Sequence, residues 1–135
     1  GRRMFMLVLA TGDEAIASLT SFAREQQLHT SQFTAIGAFS SAVVAYFDWE
    51  KKDYRKIPIS EQVEVLSLLG DITIEQDGPK IHAHVVLGQQ DASARGGHLI
   101  SGHVRPTLEI VLTESPRYLR RRFDAESGLA LIDPR

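Results

Sequence analysis

Three of the five histidines in this 135-residue chain are spaced so that they could share one ion. His82 and His84 stand in Ile81-His82-Ala83-His84-Val85-Val86-Leu87. A strand points residues i and i+2 to the same face, about 7 Å apart along the backbone, so imidazoles reaching inward from such a pair can meet on one cation. His98 follows in Gly96-Gly97-His98-Leu99, just past a polar stretch from Gln89 to Arg95 that reads as a loop. A turn there would return it to the same spot. Three neutral imidazoles with one coordination position left open form the ligand set of a catalytic or ligand-binding zinc site. Nickel, copper or iron would also accept these donors.

The neighbouring residues sharpen or dilute that reading. A lone His-x-His is more often two exposed side chains on a half-buried strand, and the nearby Gly-Gly-His is what raises it above that level. A ligating histidine normally donates its second ring N–H to an acceptor. Glu64, on the preceding strand, is a candidate for that acceptor or for a general base acting on metal-bound water. Its alternative is a surface or subunit-contact carboxylate. Gly96 and Gly97 lack the rest of any phosphate-binding pattern. Their better reading is steric: without Cβ atoms the chain can turn tightly and pass close to a neighbour. His103 is near enough to be weighed as a ligand, although a structural or rim position suits it better. His29 reads as a surface residue compensating a helix dipole. Arg117, Arg120, Arg121 and Arg122 form the one basic cluster. They could touch phosphates, but such a run more often forms the solvated face of a terminal helix, here beside Asp124 and Glu126. The serines show no nucleophile pattern.

Several elements must position these residues. Met4 to Ala10 is a short apolar run that reads as a strand buried on both faces. Asp13 to about Gln27 carries Ile16, Leu19, Phe22 and Ala23 at helical spacing, with acidic residues expected in the first turn. Phe33 to Phe39, interrupted by Gly37, and Ala42 to Asp48 read as two strands; a glycine inside a strand suggests a bulge or a close backbone approach. Tyr54 to Ile59 reads as an edge strand because of Pro58. Val63 to Ile74 is a long strand, and the turn Gln76-Asp77-Gly78-Pro79 joins it to the His82 strand as an antiparallel hairpin. Leu99 to Val104 and Thr107 to Thr113 read as strands separated by Arg105-Pro106. Pro116 to Phe123 reads as a short helix and Leu129 to Ile132 as a last strand. The expected class is α+β: one strongly curved, mainly antiparallel sheet with one principal helix packed on it.

Size and composition set outer bounds. A chain of 135 residues is expected to form one domain, and 43% hydrophobic with 24% charged residues is ordinary for a globular protein. The absence of cysteine excludes thiolate metal sites and thiol catalysis, and it is compatible with a reducing cytoplasm, the expected location. Neither a membrane span nor a signal peptide is recognisable. A formal charge of −2 does not favour binding DNA mainly through its phosphates.

Val63-Glu64-Val65-Leu66-Ser67-Leu68-Leu69-Gly70, His82-Ala83-His84 and Gly96-Gly97-His98-Leu99-Ile100-Ser101-Gly102 together resemble the PPC domain (plants and prokaryotes conserved), also called DUF296 or the PD1-like domain. The similarity covers nearly the whole chain and includes Ala35-Ile36-Gly37-Ala38-Phe39-Ser40 and Tyr46-Phe47-Asp48. It implies a homotrimer. Plant members carry an AT-hook and act in nuclear proteins that bind AT-rich DNA. Prokaryotic members usually lack the hook and carry a histidine set resembling His82, His84 and His98, for which metal binding has been proposed. No Arg-Gly-Arg-Pro core is present in this chain. It therefore resembles the stand-alone type, and the resemblance leaves DNA binding in doubt.

Three functions compete on this reading. The first is a trimeric binding module that holds a divalent metal, zinc foremost, with water or a small anionic ligand in the fourth position and a regulatory role. Apolar segments around Val63–Leu69 and Leu108–Leu112 exceed what one helix can cover, which gives trimerisation a physical basis. The second is a metal-dependent hydrolase in which Glu64 accepts the proton. The third is direct DNA binding through Arg117–Arg122.

Overall fold

The structure is a computed structural model and describes residues 2–115 and 120–133. It contains β1 (Met4–Ala10), α1 (Ala15–Glu25), β2 (Ser31–Asp48), β3 (Asp53–Ile59), β4 (Val63–Glu75), β5 (Gly78–Gly88), β6 (Ala94–Glu114), β7 (Arg120–Phe123) and β8 (Ala130–Asp133). The first six strands form one antiparallel sheet in the order β1-β6-β5-β4-β2-β3, and β7 pairs with β8 separately. β6 also pairs with β2, so the ladder β6–β5–β4–β2 closes on itself. The expected α+β class with a strongly curved sheet is what forms.

The long strands join segments that the sequence divides. β2 is continuous from Ser31 to Asp48: its first half pairs with β4 and its second half with β3. A bulge between Ala35 and Gly37 bends it. Gly37 is needed there because a Cβ would collide with the backbone of Thr107 and Leu108. β6 likewise runs unbroken through Arg105-Pro106, whose peptide bond is cis. Pro106 is tolerated within the strand because this stretch lies between the ladders of its neighbours rather than inside one.

Helix α1 is shorter than its apolar pattern suggests, and its first turn carries no acidic residue. Glu14 instead caps it. Its carboxylate accepts from Ile16 N at 3.1 Å and Ala17 N at 2.8 Å, and also from Gly102 N at 2.8 Å, which fixes the helix to β6. Ala15, Leu19 and Ala23 are buried in the core with Phe39, Leu68, Ile72, Leu87, Leu108, Ile110 and Leu112.

Two further expectations fail. β1 is covered on one face only: Phe5, Leu7 and Leu9 pack on the core, while Met4, Met6 and Val8 are exposed. The terminal segment is not a helix over the part described, because Arg120–Phe123 is a strand; Pro116 to Leu119 lie outside the described residues.

A bulge between Val65 and Ser67 switches which face of β4 looks inward. Val63 and Val65 are buried before it, Leu68 and Ile72 after it. Leu69 and Asp71 therefore point outward, level with their partners His84 and His82 on β5. The register continues across the sheet from Met6 to Val111, Thr34, Leu69, His84 and His98. One outer surface thus runs from an apolar patch straight to the histidines. No helix among the described residues is long and apolar enough to cross a membrane.

Candidate metal centre

Strand register brings the three histidines together. On β5, Ala83 and Val85 point into the core, so His82 and His84 project from the outer face of the sheet. His98 is the direct antiparallel partner of His84, and its other edge pairs with Ala45 of β2. The turn expected to return it is present but shorter than the polar stretch suggests. Ala94 to His98 already belong to β6, and the loop is confined to Gln89–Ser93. Gly96 and Gly97 are strand residues in a crowded crossing. A Cβ on Gly96 would sit 2.5 Å from the Val85 carbonyl oxygen, and one on Gly97 would sit 2.7 Å from that of Ala45. Close passage, rather than turning, is their role.

Ring centroids are 5.0 Å apart for His82–His84, 5.4 Å for His82–His98 and 5.8 Å for His84–His98. One nitrogen from each ring lies within 4.8 Å of the others. Three such atoms have a common centre no more than about 2.8 Å from any of them. Zinc–imidazole bonds are ~2.0–2.1 Å, so inward shifts of roughly 0.7 Å would seat an ion. Two of the donors are in the right state for it. Burial, then the neighbouring His82 and His84, pushes the His98 imidazole down to about 4. Burial and His82 also lower His84, with Asp71 opposing them. Both rings are neutral at pH 7, with a lone pair to give. His98 Nδ1 is buried and has no hydrogen-bond partner, a cost that a bound cation or its ligand would relieve.

Asp71 is the residue that the sequence reading misses. It stands opposite His82 in the β4–β5 register, with Oδ2 3.6 Å from His82 Nδ1. That carboxylate–histidine arrangement orients a metal-binding ring and selects its outer nitrogen for the ion. Burial alone would raise the Asp71 carboxyl; His82 and the Arg121 guanidinium outweigh it and hold the group below its ordinary value. The missing signal is register: Glu64 also faces outward, but the β4–β5 pairing sets it opposite Gly88, whereas Asp71 stands opposite His82. Tyr54 of β3 stacks on His98 with centroids 4.5 Å apart. Tyr46, Phe47, Tyr54, Leu69, His84 and His98 line an open cavity of about 380 Å³.

Other candidates lie elsewhere. Glu64 pairs with Ala38 and Gly88, five residues along β4 from the partner of His84, roughly 16 Å at ~3.3 Å per residue. The structure does not bring it to the histidines of its own chain. His103 is exposed on β6 beside the start of α1, outside the triad. His29 gives its backbone N–H to Glu114. Within the basic cluster, Arg121 is largely buried against β4, Arg122 is exposed, and Arg117 lies outside the described residues.

Solved structures of similar fold carry related sequences. A plant- and prokaryote-conserved (PPC) protein from Pyrococcus horikoshii is 31% identical with a TM-score of 0.91, covering 97% of this chain and 91% of that one. A metal-containing protein from Archaeoglobus fulgidus is 37% identical with a TM-score of 0.88, covering 96% and 91%. A protein from Ralstonia eutropha, named as a candidate DNA-binding protein, is 28% identical with a TM-score of 0.88, covering 95% and 89%. No curated protein matches the chain significantly. The sequence model of one family matches residues 1–116, and on that match the chain belongs to the Plants and Prokaryotes Conserved (PCC) domain family.

Proposed function

We propose that residues 1–135 form one domain that assembles as a homotrimer and holds a divalent metal ion, zinc by donor type, through His82, His84 and His98. The observation that carries this reading is the convergence of three imidazoles from two paired strands to within 4.8 Å. The metal-containing relative from Archaeoglobus fulgidus supports it. The fourth position would take water or a small anionic ligand from the cavity beside His84 and His98. The role is sensing or regulation in the cytoplasm, with any DNA association supplied by partner proteins.

Purified protein is expected to retain one first-row metal per subunit by elemental analysis. His82→Ala/His84→Ala is expected to lose it while keeping the wild-type circular dichroism spectrum. Stoichiometric metal in the double variant would contradict the assignment.

A hydrolytic reading rests on the same ion and cavity, since bound water on such a centre is acidic enough to attack near neutral pH. Glu64 cannot serve from its own chain, so this reading needs another proton acceptor. Direct DNA binding has relatives' names in its favour. It predicts affinity for AT-rich duplexes that falls steeply with salt.

A further inference from the structure

Arg121 belongs to a part of the chain that the family match does not reach, yet it is anchored beside the histidines. Its guanidinium makes three contacts at once. One terminal nitrogen donates to Asp71 Oδ1 at 2.7 Å, Nε donates to Thr73 Oγ1 at 3.0 Å, and the other terminal nitrogen donates to the Ala130 carbonyl at 2.7 Å. The side chain is only 10% exposed, and Thr73 is buried. This is the fixed fork geometry that lysine cannot reproduce. Asp71 is thus held by one oxygen, and its other oxygen is turned to His82 Nδ1. The chain of contacts runs Ala130–Arg121–Asp71–His82, from the β7–β8 hairpin to the triad. A second tether, from Lys52 Nζ to the Ala125 carbonyl at 3.2 Å, holds the hairpin turn near the β2–β3 loop without touching Asp71.

We infer that Arg121 is a positioning residue of the three-histidine centre. It locks the Asp71 carboxylate against His82, and through it the β7–β8 hairpin sets how tightly the centre holds its metal. The inference rests on the metal reading above. An unlocked Asp71 can rotate toward water, and His82 then loses the partner that fixes its ring. Losing such an outer contact typically weakens metal affinity by about 10–100-fold.

The test measures zinc affinity by competition with a chromophoric chelator and the visible spectrum of the cobalt-substituted protein. The variants are Arg121→Met, Arg121→Lys, Asp71→Asn, the double variant Arg121→Met/Asp71→Asn, and Lys52→Ala. Arg121→Met and Arg121→Lys are each expected to weaken zinc binding by about 10-fold or more and to broaden the cobalt bands. In the Asp71→Asn background the Arg121 effect should vanish, because the arginine acts through that carboxylate. Lys52→Ala loosens the hairpin elsewhere and should stay within about twofold of wild type. If Arg121→Met fails to fold, Arg121→Lys carries the same expectation. Wild-type affinity in a folded Arg121 variant overturns the inference and leaves the metal site standing. So does a loss that persists in full beside Asp71→Asn, or one that Lys52→Ala reproduces. A wild-type protein that binds no zinc overturns both.

Discussion

At the scale of single residues, the most constrained polar group away from the histidines is Glu114. It is 2% exposed at the end of β6, yet it is fully engaged. Arg3 Nε donates to it at 2.9 Å, the Arg3 backbone N–H at 3.2 Å and the His29 N–H at 3.0 Å. The Arg3 side chain, and then these backbone donors, outweigh burial and hold its carboxyl at about 2. A folded-state value below the unfolded one means the unfolded chain takes up the proton first as pH falls. The stabilisation is complete above about 4.5 and is lost as pH drops toward 2. Glu114→Gln is expected to cost about 2 kcal/mol at pH 7, less than a fully buried pair because Arg3 is 43% exposed. Urea titrations of both proteins at pH 7 and at pH 2.5 should show the gap closing in acid; a gap unchanged with pH would remove the charge argument. None of this was legible in the sequence. Arg3 and Glu114 are 111 residues apart, and nothing local marks them as partners.

At the scale of elements, sequence patterning identified the main helix and the strands of the large sheet but misplaced their limits and read β7 as a helix, for physical reasons visible at particular residues. His82 and His84 could be placed on one face because alternation is a local property of a strand. Their outward direction follows from Ala83 and Val85 entering the core, and the replacement of Glu64 by Asp71 as the neighbour of His82 follows from the β4–β5 register. A pairing register between two strands is a tertiary fact that leaves no composition signature. Gly96-Gly97 suggests a turn when only the chain is considered, since glycine serves turns and close crossings equally. The crossing is a tertiary fact, set where β6 leaves β5 for β2. It yields a prediction at this scale. Gly97→Val places side-chain atoms against the Ala45 carbonyl and so pushes on the β2 partner of His98. It should destabilise the fold by about 1–3 kcal/mol, the usual cost of overpacking. Zinc affinity should fall with it, because the His84–His98 pair shifts. A variant with a wild-type melting curve and wild-type zinc affinity would show that the crossing has room to spare.

At the scale of the whole molecule, the apolar outer surface has the larger consequence. Met4, Met6 and Val8 on β1, Ile36 on β2, Leu66 and Leu69 on β4, and Val111 on β6 are all exposed. Met6, Ile36, Leu66, Leu69 and Val111 line one continuous concavity. A contiguous apolar patch of this kind marks an interaction surface rather than a scatter of single residues. The alternation in β1 explains why a strand apolar on both sides is covered on only one: α1 and the core serve the inner face, and nothing among the described residues serves the outer. Further copies would bury it, and Leu69 would place the edge of that contact beside His84, so assembly and metal binding would share a border. Sedimentation at micromolar concentration should therefore give a species of about 45 kDa, three times the 15.0 kDa chain. Met6→Glu/Leu66→Glu, which puts two charges into the patch without touching the core, should shift it to monomer and lower its melting temperature. Zinc binding should weaken less than in the histidine variants, because all three donors come from one chain. A wild-type protein that sediments at 15 kDa at every concentration would leave the outer face without its occupant and refute the trimer.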